Sequence, residues 1–251
     1  MMACLPLAGA EPYCDSRSGA SRVALIELYT SEGCSSCPPA DRWVSTLMAR
    51  GFRADRVVAL ALHVDYWDYL GWRDRFAQAG FSARQRAQAD RHGARFVYTP
   101  QLLLNGADFR QSLLDAAFPE RLARVNNRAA GAELRLVQRT HATGVGIELE
   151  GRVIEPSAHK FAETYVALLE NNLSSEVRAG ENSGRVLVHD SVVRQLIGPL
   201  SADGSGWLRW NGTIALHDLW KRRDLGIVAF VQDLRNGDVL QALHAPLCSK
   251  P

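Results

Sequence analysis

The chain has 251 residues, of which 47% are hydrophobic and 22% are charged, a composition that excludes a disordered, collagen-like or low-complexity protein. Its net charge of +2 removes the broad electrostatic argument for binding a nucleic acid or an acidic membrane surface. No apolar run approaches the roughly 18 residues that a membrane-spanning helix needs, so we predict a protein that does not span a membrane.

The N-terminus resembles the end of an export signal. Residues 1–10 are small and apolar, and Ala8-Gly9-Ala10 fits the small-x-small pattern that signal peptidase cleaves. The segment lacks a charged start and most of an apolar core, so we interpret it as the remnant of a signal peptide. The alternative is the frayed terminus of a cytosolic protein. We expect a periplasmic or secreted protein.

The cysteine count supports this expectation. Five cysteines are present, and Cys4 would be removed with the signal peptide, leaving four. An even number suits an oxidising compartment. Cys34 and Cys37 form a local pair, and Cys14 and Cys248 then remain at opposite ends of the chain as a hypothetical structural disulfide.

The first half of the chain alternates between strand and helix patterns. Residues 22–30 read as a buried strand, the segment from Cys34 to Gly51 as a helix, and residues 57–64 as a second buried strand in a parallel β-α-β unit. An aromatic loop (65–76), a helix (82–92), a strand (94–98), a break at Thr99-Pro100, a strand (101–105) and a helix (111–126) follow. This order is typical of an α/β thioredoxin-like domain, which we place at residues 20–130.

After Gly131 the pattern changes to short alternating strands separated by turn residues. Strands are predicted at residues 133–139, 144–149, 161–169, 185–189, 207–210, 227–233 and 239–243. This spacing is typical of an antiparallel β-sandwich. We therefore predict a second, β-rich sandwich-like domain at residues 131–251.

The Cys34-Ser35-Ser36-Cys37 motif is the main candidate for chemistry. A helix N-terminus favours the thiolate, so we expect Cys34 to attack a partner sulfur and Cys37 to resolve the mixed disulfide. One alternative is half of a zinc site, although the sequence has no second CxxC or HxxxH to complete it. The other is a purely structural disulfide that is never reduced.

Two further residues fit the redox interpretation. Thr99-Pro100 lies about sixty residues after the motif, where thioredoxin-like folds place a cis-proline opposite the active-site disulfide; an ordinary trans turn is the alternative. Glu27 is an acid inside an apolar strand, and a buried acid there could take the proton of Cys37. Its alternative is an edge position in water or an ion pair with an arginine.

A polar and aromatic group follows the second strand, where open α/β sheets bind ligands. We predict that it forms a rim of the substrate groove, with metal binding through His63 and Asp65 or simple loop packing as alternatives. Its members are His63, Asp65, Trp67, Asp68 and Trp72. A second polar cluster, which we interpret as a buried ion and hydrogen-bond network at the domain interface, comprises Glu181, Asn182, Arg185, His189, Asp190 and Arg194.

Four segments together carry a resemblance to a known family. They are residues 26–41 (IELYTSEGCSSCPPAD), 63–73 (HVDYWDYLGWR), 97–106 (VYTPQLLLNG) and 180–194 (GENSGRVLVHDSVVR). They resemble successive blocks of a bacterial secreted family known as domain of unknown function 1223, over most of residues 22–243. The resemblance implies export, a thioredoxin-like N-terminal domain and a β-rich C-terminal region. It does not imply a substrate.

From these residues we expect an exported thiol-disulfide oxidoreductase that acts on protein thiols or disulfides and needs no organic cofactor. Cys34 would be the nucleophile and Cys37 the resolving cysteine, while Pro100 and Thr99 would shape the groove. One rival is a carrier that holds a soft metal such as copper through the same cysteines and His63. The other is a structural interaction protein with an inert disulfide.

Overall fold

The structure, a computed structural model, describes residues 13–110 and 116–249. The predicted signal-peptide remnant at residues 1–10, with Cys4, lies outside the described residues, as does the first part of the helix predicted at 111–126. Elements are numbered along the chain.

Two sheets and a separate ribbon contain the described strands. The large sheet has the order β14 (Val239–Pro246), β13 (Leu225–Asp233), β8 (Ala162–Glu170), β11 (Val192–Ser201), β3 (Val57–His63), β2 (Ala24–Thr30), β4 (Gln101–Leu104), β5 (Ala107–Asp108). The second sheet is antiparallel, in the order β1 (Tyr13–Arg17), β6 (Ala132–Thr140), β7 (Gly144–Val153), β12 (Trp207–Ala215). The ribbon pairs β9 (Leu173–Glu176) with β10 (Val186–His189).

Three α-helices lie within the part of the chain that the structure describes: α1 (Pro38–Ser45), α2 (Ala79–Arg91) and α3 (Phe118–Asn126). None of the described helices is long and apolar enough to cross a bilayer. The helix expected from Cys34 is shorter than predicted, because it begins only after the second cysteine and ends six residues before Gly51.

The predicted fold class, an α/β thioredoxin-like domain followed by a β-rich domain, is wrong. The chain is mostly β-sheet, with 43% strand and 17% helix, and the eight-stranded mixed sheet takes strands from both sides of Gly131. Strand β3 makes the junction: it pairs in parallel with β2 on one edge and with β11 on the other, where Ala61 faces Val192. A buried strand needs hydrogen-bond partners along both edges, and the later half of the chain supplies the second one.

Individual strands follow the sequence pattern more closely. Strands β2 and β3 pair in parallel, as predicted, and every residue of β2 is buried. Residues 94–98 were predicted as a strand but form an irregular segment in which the Phe96 side chain is 73% exposed. The sequence pattern also missed β1, β5, β9 and β11.

The core has three parts. Apolar residues of the four-stranded sheet, such as Leu136 and Ile147, pack against Leu168 and Ile227 of the large sheet. The part of the large sheet formed by β2, β3 and β4 is covered on one face by α1 and α3. Its other face contributes to a core that includes Phe81 of α2. The carboxyl ends of β2 and β3 therefore meet beneath the start of α1.

Candidate functional site

A disulfide joins Cys34 and Cys37 immediately before α1, with their Cα atoms 5.5 Å apart. Cys37 is the N-cap residue of this helix. The first two helical positions are Pro38 and Pro39, which have no N–H to offer, so the free amide donors expected at this helix start are reduced. A side-chain hydroxyl lies beside the first sulfur instead: the Ser36 Oγ is 3.3 Å from Cys34 Sγ.

The segment containing Pro100 faces the motif. The Thr99–Pro100 peptide bond is cis, as predicted. The Ser36 hydroxyl donates a hydrogen bond to the carbonyl of Thr99 at 3.5 Å, and the indole N–H of Trp67 donates to the Thr99 hydroxyl at 2.8 Å. Gly33 is packed so closely on Trp67 that a Cβ there would lie 3.0 Å from the Trp67 Cβ. The structure thus brings three predicted groove residues to the cysteines.

Asp41 is a buried acid in the first turn of α1. It follows Cys37 by four residues, its backbone N–H donates to the Cys37 carbonyl at 3.2 Å, and its residue is 6% exposed. Helical residues four apart share a face, and their side chains lean toward the N-terminal turn, here toward the cysteines. Burial raises the pKa of Asp41, although the nearby His189 and His63 rings oppose the rise. Asp41 therefore gives up its proton less readily than an exposed aspartate does.

Below Asp41 lies a group of buried ionisable residues. His63, at the end of β3, is fully buried, and its Nδ1 lies 2.7 Å from a carboxylate oxygen of Asp74. Burial alone would lower the pKa of His63, but Asp74 holds that pKa above its ordinary value. Burial alone would raise the pKa of Asp74, and His63 holds it below its ordinary range. The pair is therefore ionised more readily than either group alone.

The same group continues to the turn before the motif. Glu32 is fully buried; its backbone N–H donates to Asp74 at 2.9 Å, and one carboxylate oxygen accepts from the Trp72 indole at 2.8 Å. The other oxygen lies 3.4 Å from Nε2 of His189, whose ring packs edge-on against His63 at 5.0 Å. Burial would raise the pKa of Glu32, yet His189 and Trp72 keep it below its ordinary value.

Glu27 is not part of this group. Its carboxylate binds the guanidinium of Arg84 on α2 at 2.6 Å and accepts from the Tyr29 hydroxyl at 3.2 Å. Alternation along β2 places Ile26 and Leu28 on the face that α1 covers, and Glu27 on the opposite face. The structure therefore does not bring Glu27 to the disulfide. Glu27 instead forms an ion pair with an arginine, which was the alternative prediction.

The remaining predicted rim residues have separate partners. Asp65 accepts a hydrogen bond from the hydroxyl of Ser82 on α2, whereas His63 turns to Asp74. The alternative in which His63 and Asp65 bind a metal together is therefore not preformed. Asp68 accepts from the backbone N–H of Asp74 at 3.1 Å and so supports the loop.

Part of the second polar cluster reaches the motif from the β9–β10 ribbon. Glu181 accepts a hydrogen bond from the Ser35 backbone N–H at 2.9 Å. Hydrogen bonds from the side chain and then the backbone of Ser35 hold the pKa of Glu181 below its usual value. Asn182 donates to the carbonyls of Glu32 and Cys34, each at 2.9 Å, and Arg185 donates to the Asn182 side chain. The cluster is not a single network, because two of its members bind away from the motif. Asp190 accepts a hydrogen bond from the Asn172 backbone N–H, and Arg194 forms an ion pair with Glu170.

The other two cysteines form the second disulfide. Cys14 in β1 is bonded to Cys248 after β14, with Cα atoms 5.8 Å apart. The Cys248 backbone N–H also donates to the side chain of Gln138 in β6, the residue that pairs with Cys14. The predicted bridge between the chain ends is therefore present.

Asp41, Asp74 and Glu32 were missed as site residues. The available signal was their position: Asp41 lies one helical turn after Cys37, and Glu32 lies two residues before Cys34. Asp74 had no such signal, since its approach to His63 depends on how the aromatic loop folds back.

The profile of a protein family described as a protein of unknown function (DUF1223) matches residues 25–232. The chain belongs to this family. The matched region of this DUF1223 chain includes the Cys34–Cys37 motif, Asp41, the His63–Asp74 pair and the β9–β10 ribbon. No curated protein matches the chain.

Two solved structures resemble this DUF1223 chain over most of its length. A protein from Agrobacterium tumefaciens is 25% identical, with a TM-score of 0.58 and coverage of 93% of this chain and 98% of that one. HBP35 of Porphyromonas gingivalis is 16% identical, with a TM-score of 0.68 and coverage of 92% and 76%. At such identity, HBP35 shows a shared fold and nothing further.

Proposed function

We propose that this chain is an exported thiol-disulfide oxidoreductase whose Cys34–Cys37 pair exchanges with protein thiols or disulfides. The observation that carries the proposal is the placement of Asp41, a buried acid with a raised pKa, one helical turn behind a disulfide at the start of α1. A buried acid that retains its proton can serve the leaving sulfur as a general acid.

In the oxidising direction, a thiolate of the partner attacks Cys34 Sγ and the bond to Cys37 breaks. Cys37 leaves as a thiolate and takes the proton of Asp41, which is replaced from solvent. A second partner thiolate then attacks the partner sulfur of the mixed disulfide and releases Cys34. The partner loses two electrons and releases its two thiol protons, and the two cysteines gain the electrons.

In the reducing direction the same groups work in reverse. The Cys34 thiolate, beside the Ser36 hydroxyl, attacks a partner disulfide, and the ionised Asp41 accepts the proton of Cys37 as Cys37 displaces the partner. This assigns to Asp41 the proton-transfer role expected of Glu27, because Glu27 lies on the other face of the sheet.

Export is supported by the two disulfides, since disulfides persist in oxidising compartments such as the periplasm. We therefore place the reaction in the periplasm or outside the cell. There the Cys14–Cys248 bridge is maintained while Cys34 and Cys37 cycle.

The burial of both sulfurs favours a second candidate, a structural protein with an inert disulfide. The exposed fraction is 1% for Cys34 and 0% for Cys37. An inert disulfide would form no intermediates with a partner, so a trapping experiment separates the two functions.

The test incubates a Cys37→Ser variant with ribonuclease A carrying scrambled disulfides. We expect a mixed disulfide at Cys34 to accumulate, because the variant has no second thiol to release the partner; mass spectrometry of the linked peptides identifies it. The matched control is Cys34→Ser, which retains only the deeper thiol and should trap at least tenfold less. Equal trapping by the two variants, or none by either, would contradict the proposal.

A further inference from the structure

The cysteine motif has an unusual pattern of exposure. Ser35 and Ser36 are exposed, whereas the cysteines on either side of them are buried. The connecting peptide therefore reaches solvent, but the sulfurs do not. A partner thiolate must approach a sulfur directly, so some covering group has to move before exchange.

The segment between β9 and β10, residues 177–185, lies on the motif; we call it the lid loop. Its contacts are with the motif's backbone: Glu181 accepts from Ser35, and Asn182 donates to the Cys34 and Glu32 carbonyls. Asn182 is fully buried and Glu181 is exposed. The loop thus has a buried anchor and, at its edge, a carboxylate bound beside the attacking cysteine.

The lid loop belongs to a unit that is separate from the main sheets. Within residues 13–110 and 116–249, β9 and β10 form sheet hydrogen bonds only with each other. Gly180 and Gly184 have φ values of +73° and +81°, a conformation that other residues rarely adopt, and they bracket Glu181 and Asn182. The lid loop can therefore move off the motif without breaking a ladder of either large sheet.

We infer that the lid loop controls access to Cys34, with Glu181 as the contact that must break first. This inference rests on the proposed function, because access matters only if the disulfide exchanges. The Glu181 carboxylate also repels an incoming thiolate, since like charges this close disfavour approach. Glu181 and Asn182 are thus the residues that determine which partners reach the sulfur.

The test measures the rate constant for reduction of the Cys34–Cys37 bond by dithiothreitol in the full chain. In this reaction one dithiothreitol thiolate forms a mixed disulfide, and its second thiolate closes the ring, leaving two cysteine thiols and oxidised dithiothreitol. For Glu181→Ala we expect an increase of about fivefold, the effect of losing one exposed charge-assisted hydrogen bond. Hydrogen exchange of the Ser35 amide should accelerate by a similar factor.

The matched control is Ser183→Ala in the same loop, because the Ser183 hydroxyl contacts the Arg178 carbonyl and not the motif. Its reduction rate should stay within twofold of the wild-type rate. An unchanged rate in Glu181→Ala, or equal rates in the two variants, would overturn the inference. Reduction by dithiothreitol needs no protein partner, so this result is independent of trapping by Cys37→Ser.

Discussion

At the level of single residues, the site combines a disulfide with Asp41, an acid whose pKa is raised by burial. Cys34 and Cys37 are exposed by 1% and 0%, and Asp41 shares the helix face behind them. In this position a neutral Asp41 has a low desolvation cost, and its proton is available to a departing thiolate. In the proposed function, the chemistry would therefore depend on the protonation state of Asp41.

Replacing Asp41 separates its catalytic effect from its effect on stability. Asp41→Asn should slow the reduction of the disulfide by dithiothreitol at pH 7 by roughly tenfold to a hundredfold, since general acid catalysis at this step is lost. The oxidised variant should nevertheless unfold at higher urea concentration than wild type at pH 8. The folded-state pKa of Asp41 is raised, so its stabilising contribution is complete below the unfolded pKa and is lost as the pH rises.

The control for Asp41 is Asp55→Asn. Asp55 is two-thirds exposed and forms a surface ion pair with Arg53, so neither rate nor stability should change appreciably. A rate in Asp41→Asn equal to that of wild type, at every pH between 6 and 9, would remove Asp41 from the proposed mechanism.

Several residues could be identified from the sequence because their spacing has a direct chemical meaning. The Cys34–Cys37 pair and the Cys14–Cys248 bridge were recognisable from cysteine count, and Thr99-Pro100 from its place between predicted elements. Glu27 was a reasonable candidate as an acid in an apolar strand. Its side of the sheet depends on which helix covers which face, and one strand pattern does not contain that information.

At the level of elements, the loop after β3 folds back so that Asp74 meets His63 at the end of that strand. Asp74 also accepts from the backbone N–H groups of Glu32 and Phe76. One carboxylate therefore fixes the end of β3, the turn before the motif and its own loop. Breaking such a buried pair from one side leaves an unpaired charge and costs about 3–5 kcal/mol.

The His63–Asp74 pair predicts a specific pH dependence of folding stability. His63 has a raised folded-state pKa, so its contribution is complete below about pH 6.5 and declines at higher pH. Asp74 has a lowered pKa, so its contribution is present above about pH 4 and declines at lower pH. The loss of unfolding free energy in His63→Asn should therefore be larger at pH 5.5 than at pH 8.5.

His244 provides the control, measured by the same urea titrations. Burial lowers its pKa, so neutral His244 becomes unfavourable to protonate, and the cost of His244→Asn should instead be smaller at pH 5.5 than at pH 8.5. The same trend in both variants would show that the pH effect is general and does not arise from the His63–Asp74 pair.

The strongest strands were predictable because they are mostly apolar and buried, as β2 and β3 are. Strand β11 escaped detection because Gly198-Pro199 interrupts its pattern and its pairing with β8 has register shifts on either side of Ile197. Residues 94–98 show the opposite case. Their apolar and aromatic side chains predict a strand, but the segment is irregular, and Phe96 and Tyr98 are exposed. Local pattern does not distinguish an exposed aromatic segment from an edge strand.

At the scale of the whole molecule, the two halves of the chain share one sheet. Strand β3 depends on β11 for its second edge, and the lid loop of the later half covers the motif of the earlier half. The sequence pattern did not predict that strands from the two halves pair in one sheet. Strand pairing across more than a hundred residues, as between β3 and β11, leaves no local pattern. The Cys14–Cys248 bridge closes the chain ends across this shared architecture with a sequence separation of 234.

The two disulfides should therefore behave differently in one molecule. Cys14–Cys248 constrains the chain over a long loop, which stabilises the folded state by up to about 5 kcal/mol. Cys34–Cys37 closes a loop with a sequence separation of only 3, so we expect its reduction to leave the rest of the fold intact. A redox-active bond and a structural bond are distinguished by their reduction potentials.

The most direct test of the central claim is the reduction potential of Cys34–Cys37 in the folded protein, measured by alkylation and mass spectrometry after equilibration in dithiothreitol redox buffers. We predict a reduction potential between about −270 and −120 mV, the range of catalytic dithiols, with the Cys14–Cys248 disulfide still oxidised. A value below about −300 mV, or reduction only when the protein unfolds, would contradict it.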